Sequence, residues 1–453
     1  MRDIIITLMV FGALPYILKR PYWGVVAWIW ISVMNPHSQG WGFSRSFPFA
    51  AIIAGTTIIS LLINKEKFRL PKSPAVYVFV AFGLWMSVTS FFALNPDQVY
   101  GQWSRWNKIF LMTLVVMMLT RSRKEIEGMI WAIVISLGFY GVKGGIFTIQ
   151  TGGNFRVWGP AGTFIEGNNE MALALVMVIP LMFYLRTTIS NKWGRHAMLA
   201  SLLLCAFASL GSYSRGAALA IAAMAFFLWL KSRNKAPLGL LLIIVAPLML
   251  AAMPSAWHER IDTINTYQED ASAMGRINAW HMAYNLASDR PLVGGGFEIY
   301  DEHVFALYAP DPLAIHAAHS IYFQMLGEHG WPGLILYLTL AIITLFNGQW
   351  IIRNAKQHKE MQWAIQMATM LQVSLLGFAT GGAFLSLAYF DVPYFVMAAM
   401  VATRVLIARE LAEKARIAAE AAQQIKAEKA AELAALVAAQ GPRPPPPPRT
   451  ISS

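Results

Sequence analysis

The sequence predicts an all-α, polytopic membrane protein, and three observations carry that reading. Of 453 residues, 57% are hydrophobic and only 13% are charged, where a soluble domain carries roughly 25% charged residues. So long a chain with so little charge cannot cover itself with polar surface, and lipid must be its solvent. The apolar residues form long continuous runs rather than alternating with polar ones, which selects helices over a barrel. The loops between the runs switch regularly between two chemistries, one short and basic, the other rich in Gly, Asn, Pro and Trp.

In chain order, two short runs come first, 3–18 and 22–34, parted by Lys19, Arg20 and Pro21. They read as two tilted spans or an irregular hairpin. The first lacks a small-residue cleavage site, so no cleavable signal peptide is expected. Runs of membrane length follow near 47–63, 74–93, 105–120, 127–149, 170–186, 196–213, 216–231 and 236–253, then near 330–352, 362–385 and 390–408. The expectation is about 12 transmembrane helices. Lys65, Lys67, Arg69 and Lys72 mark one basic loop, and Arg121, Arg123 and Lys124 the next. Arg186, Lys192 and Arg195, then Lys231, Arg233 and Lys235, then Arg353, Lys356 and Lys359 continue the series. These loops belong on the cytoplasmic side by the positive-inside rule. The other set, 36–46, 94–104, 150–169, the turn 212–215 and the segment 254–318, then faces outward. The net charge of +12 would suggest nucleic acid in a soluble protein, but here it follows largely from the basic loops, and no nucleic acid partner is expected. The single cysteine, Cys205, lies in an apolar run, which leaves no disulfide and no thiolate metal site.

Four segments result: N-terminal transmembrane helices over 1–253, a large outer loop over 254–329, C-terminal transmembrane helices over 330–408, and a tail over 409–453. Residues 409–440 are rich in Ala, Glu and Lys, a helix-forming composition. Five prolines at 444–448, flanked by Arg443 and Arg449, make a polyproline stretch. The tail reads as a cytoplasmic helix with a disordered end and no catalytic role.

The segment 254–318 is the only one long enough for a small subdomain, with helix-like stretches such as 274–286. It holds Arg260, Arg276 and Arg290 with His258, His281, His303 and His316, and His319 follows directly. Arg156 precedes the run at 170–186, and Arg215 sits in the tight turn from Gly211 to Gly216. Arginine on the outer face runs against the positive-inside trend and calls for a reason. Guanidinium presents a planar fork that matches phosphate oxygens in two-point contact, so a phosphorylated lipid or lipid diphosphate is the ligand class it suggests. For Arg260 and Arg290, contact with headgroups or helix capping is an equal alternative. Arg215 cannot drift from the membrane between two apolar helices, and charges held there are functional by default. Lys143, within Gly141 to Gly145 near the outer end of an apolar helix, either snorkels to the interface or meets an anion in a cavity. Arg105 and Lys108 open the helix after loop 94–104, where interface anchoring is the favoured role. Asp301, Glu302 and His303 could ligate a divalent ion, but adjacent residues do not converge on one point in regular structure, so no metal is expected.

From His319 the sequence reads His319-Ser320, nine residues, Gly330, two residues, Gly333. This resembles the His-containing signature of bacterial O-antigen ligases. Upstream, Gly275-Arg276 to Trp280 and Pro291 to Phe297 resemble the lead-in to that signature. The lead-in is shared with O-antigen polymerases and related lipid-linked oligosaccharide ligases. Arg156 to Gly159 and Asn168-Asn169 to Ala172 are similar to a first-half motif in which Arg and Gly precede a Pro-Asn pair, although the proline is missing here. Ser214-Arg215-Gly216 fits the family turn. The resemblance covers roughly residues 45 to 408 in layout, with specific motifs in a few short windows.

The resemblance implies a C-type glycosyltransferase-like fold with a large periplasmic loop subdomain, in the inner membrane of a bacterial cell. It implies transfer of O-antigen polysaccharide from undecaprenyl diphosphate to the lipid A-core oligosaccharide at the periplasmic face, inverting and independent of metal or other cofactor. The partners would be the lipid-linked O-antigen donor, the lipid A-core acceptor and membrane lipids. His319 would take the acceptor proton. Arg215 would act with it in catalysis. Arg276, Arg156, Lys143, Arg105 and Asn169 would hold diphosphate or glycan, since positioned cations stabilise charge as it develops on a leaving group. His316 and His329 do not occupy the signature position and are expected to matter much less. Polymerase and protein O-glycan ligase remain as alternatives within the enzyme class. A lipid-linked glycan transporter should instead show paired, interrupted helices at the bilayer midplane, whereas the polar residues here gather at the outer edge.

Overall fold

The computed structural model describes the chain except residues 67–68, 233, 252, 263–270, 440 and 442–453, and also leaves out the side chains of 241, 256, 260–262, 271 and 437–438. Lys67, Arg233, the Arg260 side chain and the prolines at 444–448 thus lie outside the described residues. Every regular element among the described residues is a helix. Two compact units result, 1–405 and 406–453.

Each apolar run read from the sequence lies on a helix. In chain order these are α1 (Arg2–Lys19), α2 (Tyr22–Ile29) with a π-turn Trp30–Met34 after it, and α3 (Phe49–Ile63). Then come α4 (Pro74–Phe91), α5 (Pro96–Leu119), α6 (Arg123–Gln150), α7 (Asn168–Thr188) and α8 (Lys192–Leu210). Next are α9 (Arg215–Lys231) and α10 (Lys235–Ala251). The segment expected as a loop subdomain holds α11 (Ser255–Asp262), α12 (Ala271–Asp289) and α13 (Glu302–Tyr308); α14 (Ile321–Ala355), α15 (Gln362–Gly382) and α16 (Asp391–Ala439) follow.

Among the described residues, seven helices are long and apolar enough to cross a membrane, and three shorter apolar ones accompany them. The expected number was about 12. The difference lies at helices that are short or carry charge: α3 and α10 have 15 and 17 residues, and Asp97, Arg105 and Lys108 all lie within α5. The helix α5 also begins nine residues before the run at 105–120, because Pro96 supplies a preformed first turn. The first two runs form two separate helices, α1 and α2. Between them, Arg20 forms an ion pair with Glu125 at 2.8 Å.

Helix α7 is the centre of the bundle, with an unbroken buried stretch from Met171 to Leu181. Beside it, α6 and α8 approach closely because α6 offers glycine. A Cβ at Gly145 would overlap the Leu204 backbone, and one at Gly141 would overlap Cys205. This small-residue packing is what lets apolar helices associate where lipid gives no hydrophobic drive. It accounts for the glycines around Lys143 without invoking a ligand.

Helix α14 is broken. Gly330 has φ 66° and ψ −171°, outside any helix, and Pro332 follows it. A nine-residue outer arm, 321–329, therefore meets a long arm, 331–355, at an angle the backbone alone does not dictate. The segment from Pro291 to Phe297 fills the break: Gly295 and Gly296 donate to the carbonyls of Gly327 and Glu328 at 2.9 and 2.8 Å, and Trp331 donates to the Pro291 carbonyl at 2.9 Å. Gly294 and Gly296 adopt positive φ of 59° and 78°, which glycine reaches without steric penalty. The glycine spacing around Pro291–Phe297 and Gly330–Gly333 is thus one docking contact seen from both sides. Above it, Ala279, Met282, Leu286, Ile299, Val304 and Phe305 form a small buried cluster joining α12 to α13.

Candidate functional site

Four of the predicted residues meet at one end of the bundle. A cavity of about 90 Å³ is lined by Arg156, Asn168, Asn169, Ser214, Arg215 and Arg276, among others. It shares Arg215, Gly216, Arg276 and Phe384 with a larger cavity of about 420 Å³, whose remaining lining is Leu219, Ala273, Ile277 and Trp280. One end is polar and the other apolar, which suits an amphiphile with an anionic head.

Three hydrogen bonds, one between backbone groups and two from side chains to backbone carbonyls, bring Arg156 and Arg215 together across 59 residues of chain. Val157 donates from its backbone N–H to the Gly211 carbonyl at 3.0 Å. The Tyr213 hydroxyl donates to the Gly153 carbonyl at 2.7 Å, and the Asn168 amide donates to the Ser212 carbonyl at 2.7 Å. Loop 151–167 and turn 211–214 are therefore one stapled unit. Tyr213 holds its place at φ 61°, an uncommon conformation for a residue with a bulky side chain. Its ring lies under the Arg156 guanidinium, 5.8 Å from the centroid, and packs with Leu210, Met253 and Trp257.

The site also collects two helix N-termini. Asn168 and Asn169 open α7, and Arg215 opens α9, where Ser214 caps by accepting from the Ala217 N–H at 3.1 Å. Helix N-termini carry partial positive charge and favour anions. The basic loop residues lie at the other ends of these helices: Arg123 begins α6, Arg186 ends α7, Lys192 begins α8 and Lys231 ends α9.

Arg276 is placed by α12. A Cβ on Gly275 would overlap the His316 ring, so the glycine lets the 309–320 strap lie directly on the helix. One turn on, Trp280 donates to the Ala318 carbonyl at 2.6 Å and stacks on Phe323, with centroids 5.1 Å apart and planes within 8°. These contacts set His319 beside Arg276. His319 has φ 42°, and its ring lies 5.9 Å from that of His316. The His319 Nδ1 atom is buried and has no hydrogen-bond partner. Burial, then the Arg276 and His316 charges, push its pKa down from 6.5 to about 4. The imidazole is therefore neutral at physiological pH and keeps a lone pair to accept a proton.

The remaining predicted residues lie elsewhere. Lys143 is exposed and lines a separate groove of about 690 Å³ with Trp131, Phe139, Phe147, Met182 and Met198. Arg105 and Lys108 are exposed on α5 and line neither of the arginine cavities. Arg290 is a structural anchor, donating to the Phe92 carbonyl. Asp301 caps α13 by accepting from the Val304 N–H at 2.9 Å. Among the described residues no three His, Cys, Asp or Glu side chains are grouped to hold a metal. His258, His281 and His303 are exposed. His329, expected to matter much less than His319, is fully buried, with both ring nitrogens in hydrogen bonds.

Two lining groups, Phe384 and Tyr213, and one nearby carboxylate, Glu170, escaped the sequence reading. Phe384 reaches the cavity from the loop after α15, and nothing local in its sequence marks it. Tyr213 lay inside the turn already singled out for Arg215. Glu170, one residue beyond Asn169, folds back over Gly167 and lies within electrostatic reach of Arg276.

The fold and site thus define a polytopic helical membrane protein with an arginine-lined cavity at one end of the bundle. Residues 200–338 match the family model described as O-Antigen ligase, and residues 1–190 match a Family of unknown function (DUF5935). The chain is related to the O-antigen ligase family through the first of these regions. A search of the curated proteins finds no match. The cavity is built from both regions: Arg215 and Arg276 lie within 200–338, and Arg156, Asn168 and Asn169 within 1–190.

Proposed function

We propose that the protein transfers O-antigen polysaccharide from undecaprenyl diphosphate to the lipid A-core oligosaccharide, at the periplasmic face of the inner membrane. The observation that carries this reading is the meeting of Arg156, Arg215 and Arg276 with two helix N-termini, next to the neutral imidazole of His319. The orientation, with about 12 spans and the cavity outward, rests on the basic loops at the opposite helix ends.

In this reading the diphosphate sits between Arg215, Arg276 and Arg156, near Asn169, and the prenyl chain runs along the apolar side of the larger cavity. His319 removes the proton from the acceptor hydroxyl. The acceptor oxygen bonds to the anomeric carbon as the bond from that carbon to the phosphate oxygen breaks. The leaving undecaprenyl diphosphate takes the electron pair, and its charge develops against guanidinium groups already in place. A single displacement inverts the anomeric centre. An anion seated on Arg276 would offset one cause of the depressed His319 pKa, so donor binding would make the base stronger when it is needed.

The test mixes purified protein with lipid-linked glycan and lipid A-core. New high-mass lipid A-linked product is expected and should persist with excess chelator. Elongated lipid-linked glycan instead would identify a polymerase, and movement of donor across vesicles without product a transporter.

A further inference from the structure

Below the candidate site lies a polar chain that the proposed chemistry does not use. The Tyr389 hydroxyl donates to the Glu328 carboxylate, the His329 Nε2 lies 2.8 Å from that hydroxyl, and the Thr89 hydroxyl lies 2.7 Å from His329 Nδ1. All four residues are buried, Thr89 and His329 completely. Phe297 closes the chain from one side, its ring 4.7 Å from that of His329 and 5.1 Å from that of Tyr389. One turn before Glu328, the Gln324 carbonyl oxygen accepts from the Ala388 N–H at 3.4 Å.

Glu328 and His329 are the last two residues before the break at Gly330. The break frees the outer arm of α14 from the direction of the long arm, so something else must hold it. The polar chain ties the arm's lower end to α4 through Thr89 and to the loop before α16 through Tyr389. At the upper end of the same arm stands His319.

We infer that Glu328, His329, Tyr389 and Thr89 form a positioning device that sets where His319 stands relative to the arginine cavity. The arm's nine residues rise about 14 Å. Pivoting at Gly330 by about 5° moves its outer end by about 1 Å, a misplacement that typically costs about 10²-fold in rate. The arginines stand on α9, α12 and loop 151–167, so loosening this arm should spare donor binding and slow the reaction. A buried charge or polar ring is costly unless every group is satisfied, which is why the chain holds one arrangement rather than several.

The kinetic part of the test rests on the transferase reading; the structural part does not. Tyr389→Phe deletes only the hydroxyl shared by Glu328 and His329. It should lower kcat by about 10–100-fold while the KM for lipid-linked donor stays within about twofold. Thr89→Ser keeps the hydroxyl and should be near wild type, whereas Thr89→Val keeps the shape and should be impaired. A role in packing alone would reverse that order, and overturns the inference. In hydrogen–deuterium exchange, Tyr389→Phe should loosen the amides of 321–329 and leave those of 168–188 unchanged. Unaltered exchange in 321–329, or an unaltered kcat, also overturns it. Wild-type protein that transfers no glycan overturns the proposed function, and the exchange comparison then decides the pinning alone.

Discussion

The arginine cavity and the Glu328–Tyr389–His329–Thr89 chain are both polar regions of an apolar bundle, but they are built to opposite specifications. The chain's four side chains are buried, and each is hydrogen-bonded to the next. The cavity keeps about 420 Å³ open on its apolar side and lines its polar side with groups from three separate stretches of sequence. A sealed, satisfied network specifies one arrangement of the backbone. An open one, with convergent polar groups and an apolar wall, is the form that a binding site takes. Polarity in a membrane bundle thus serves position in one place and recognition in the other, and room for a ligand tells them apart.

The largest effect that would break this division is expected at His319, the residue that both regions serve. A general base typically contributes about 10²–10⁴-fold, so His319→Ala should abolish detectable ligation while donor binding and protein level persist. His316→Ala should retain most activity; equal loss from both substitutions would remove the base assignment. The same residue predicts the pH profile. Its folded pKa lies at about 4, below the ordinary 6.5, so the base is lost only as pH falls through about 4. The acid limb of kcat/KM, which reports the unliganded enzyme, should fall there, and that of kcat at higher pH if the bound anion raises the group. Stability follows the same sign: the neutral buried form favours the fold above pH 6.5, and that advantage declines between about 6.5 and 4.

Arg215→Lys comes next. It keeps the charge and loses the two-point fork, so transfer should drop by about an order of magnitude with folding and insertion intact. A fully active variant would reduce Arg215 to an interfacial anchor and leave the cavity without its recognition role. The smallest effect should be that of Lys143→Ala, because Lys143 faces a different groove. A change of less than about threefold in transfer is expected, read in the same assay, since a charge at the membrane edge can snorkel to headgroups. A loss as large as that of Arg215→Lys would join the two grooves functionally.

The helices, the basic loops at one end of them and the residues that carry the family signature were all legible in the sequence. Those properties are local. An apolar run of membrane length must be helical because lipid offers the backbone no partners. The turn at Gly211 to Gly216 is likewise readable, since it leaves Arg215 nowhere to go but the membrane edge. What the sequence could not decide is convergence. Arg156, Asn169, Arg215 and Arg276 share a cavity because loop 151–167 is stapled to turn 211–214 and because Gly275 admits His316. Lys143 has the same charge but lines a different groove, while Gly141 and Gly145 on the same helix pack against α8. His319 and His329 look alike in the sequence, ten residues apart. The break at Gly330 makes one the end of a lever and the other part of its pivot. Helix formation follows from each segment's own contact with its solvent, whereas the site depends on which glycine, in which turn, lets two distant segments touch.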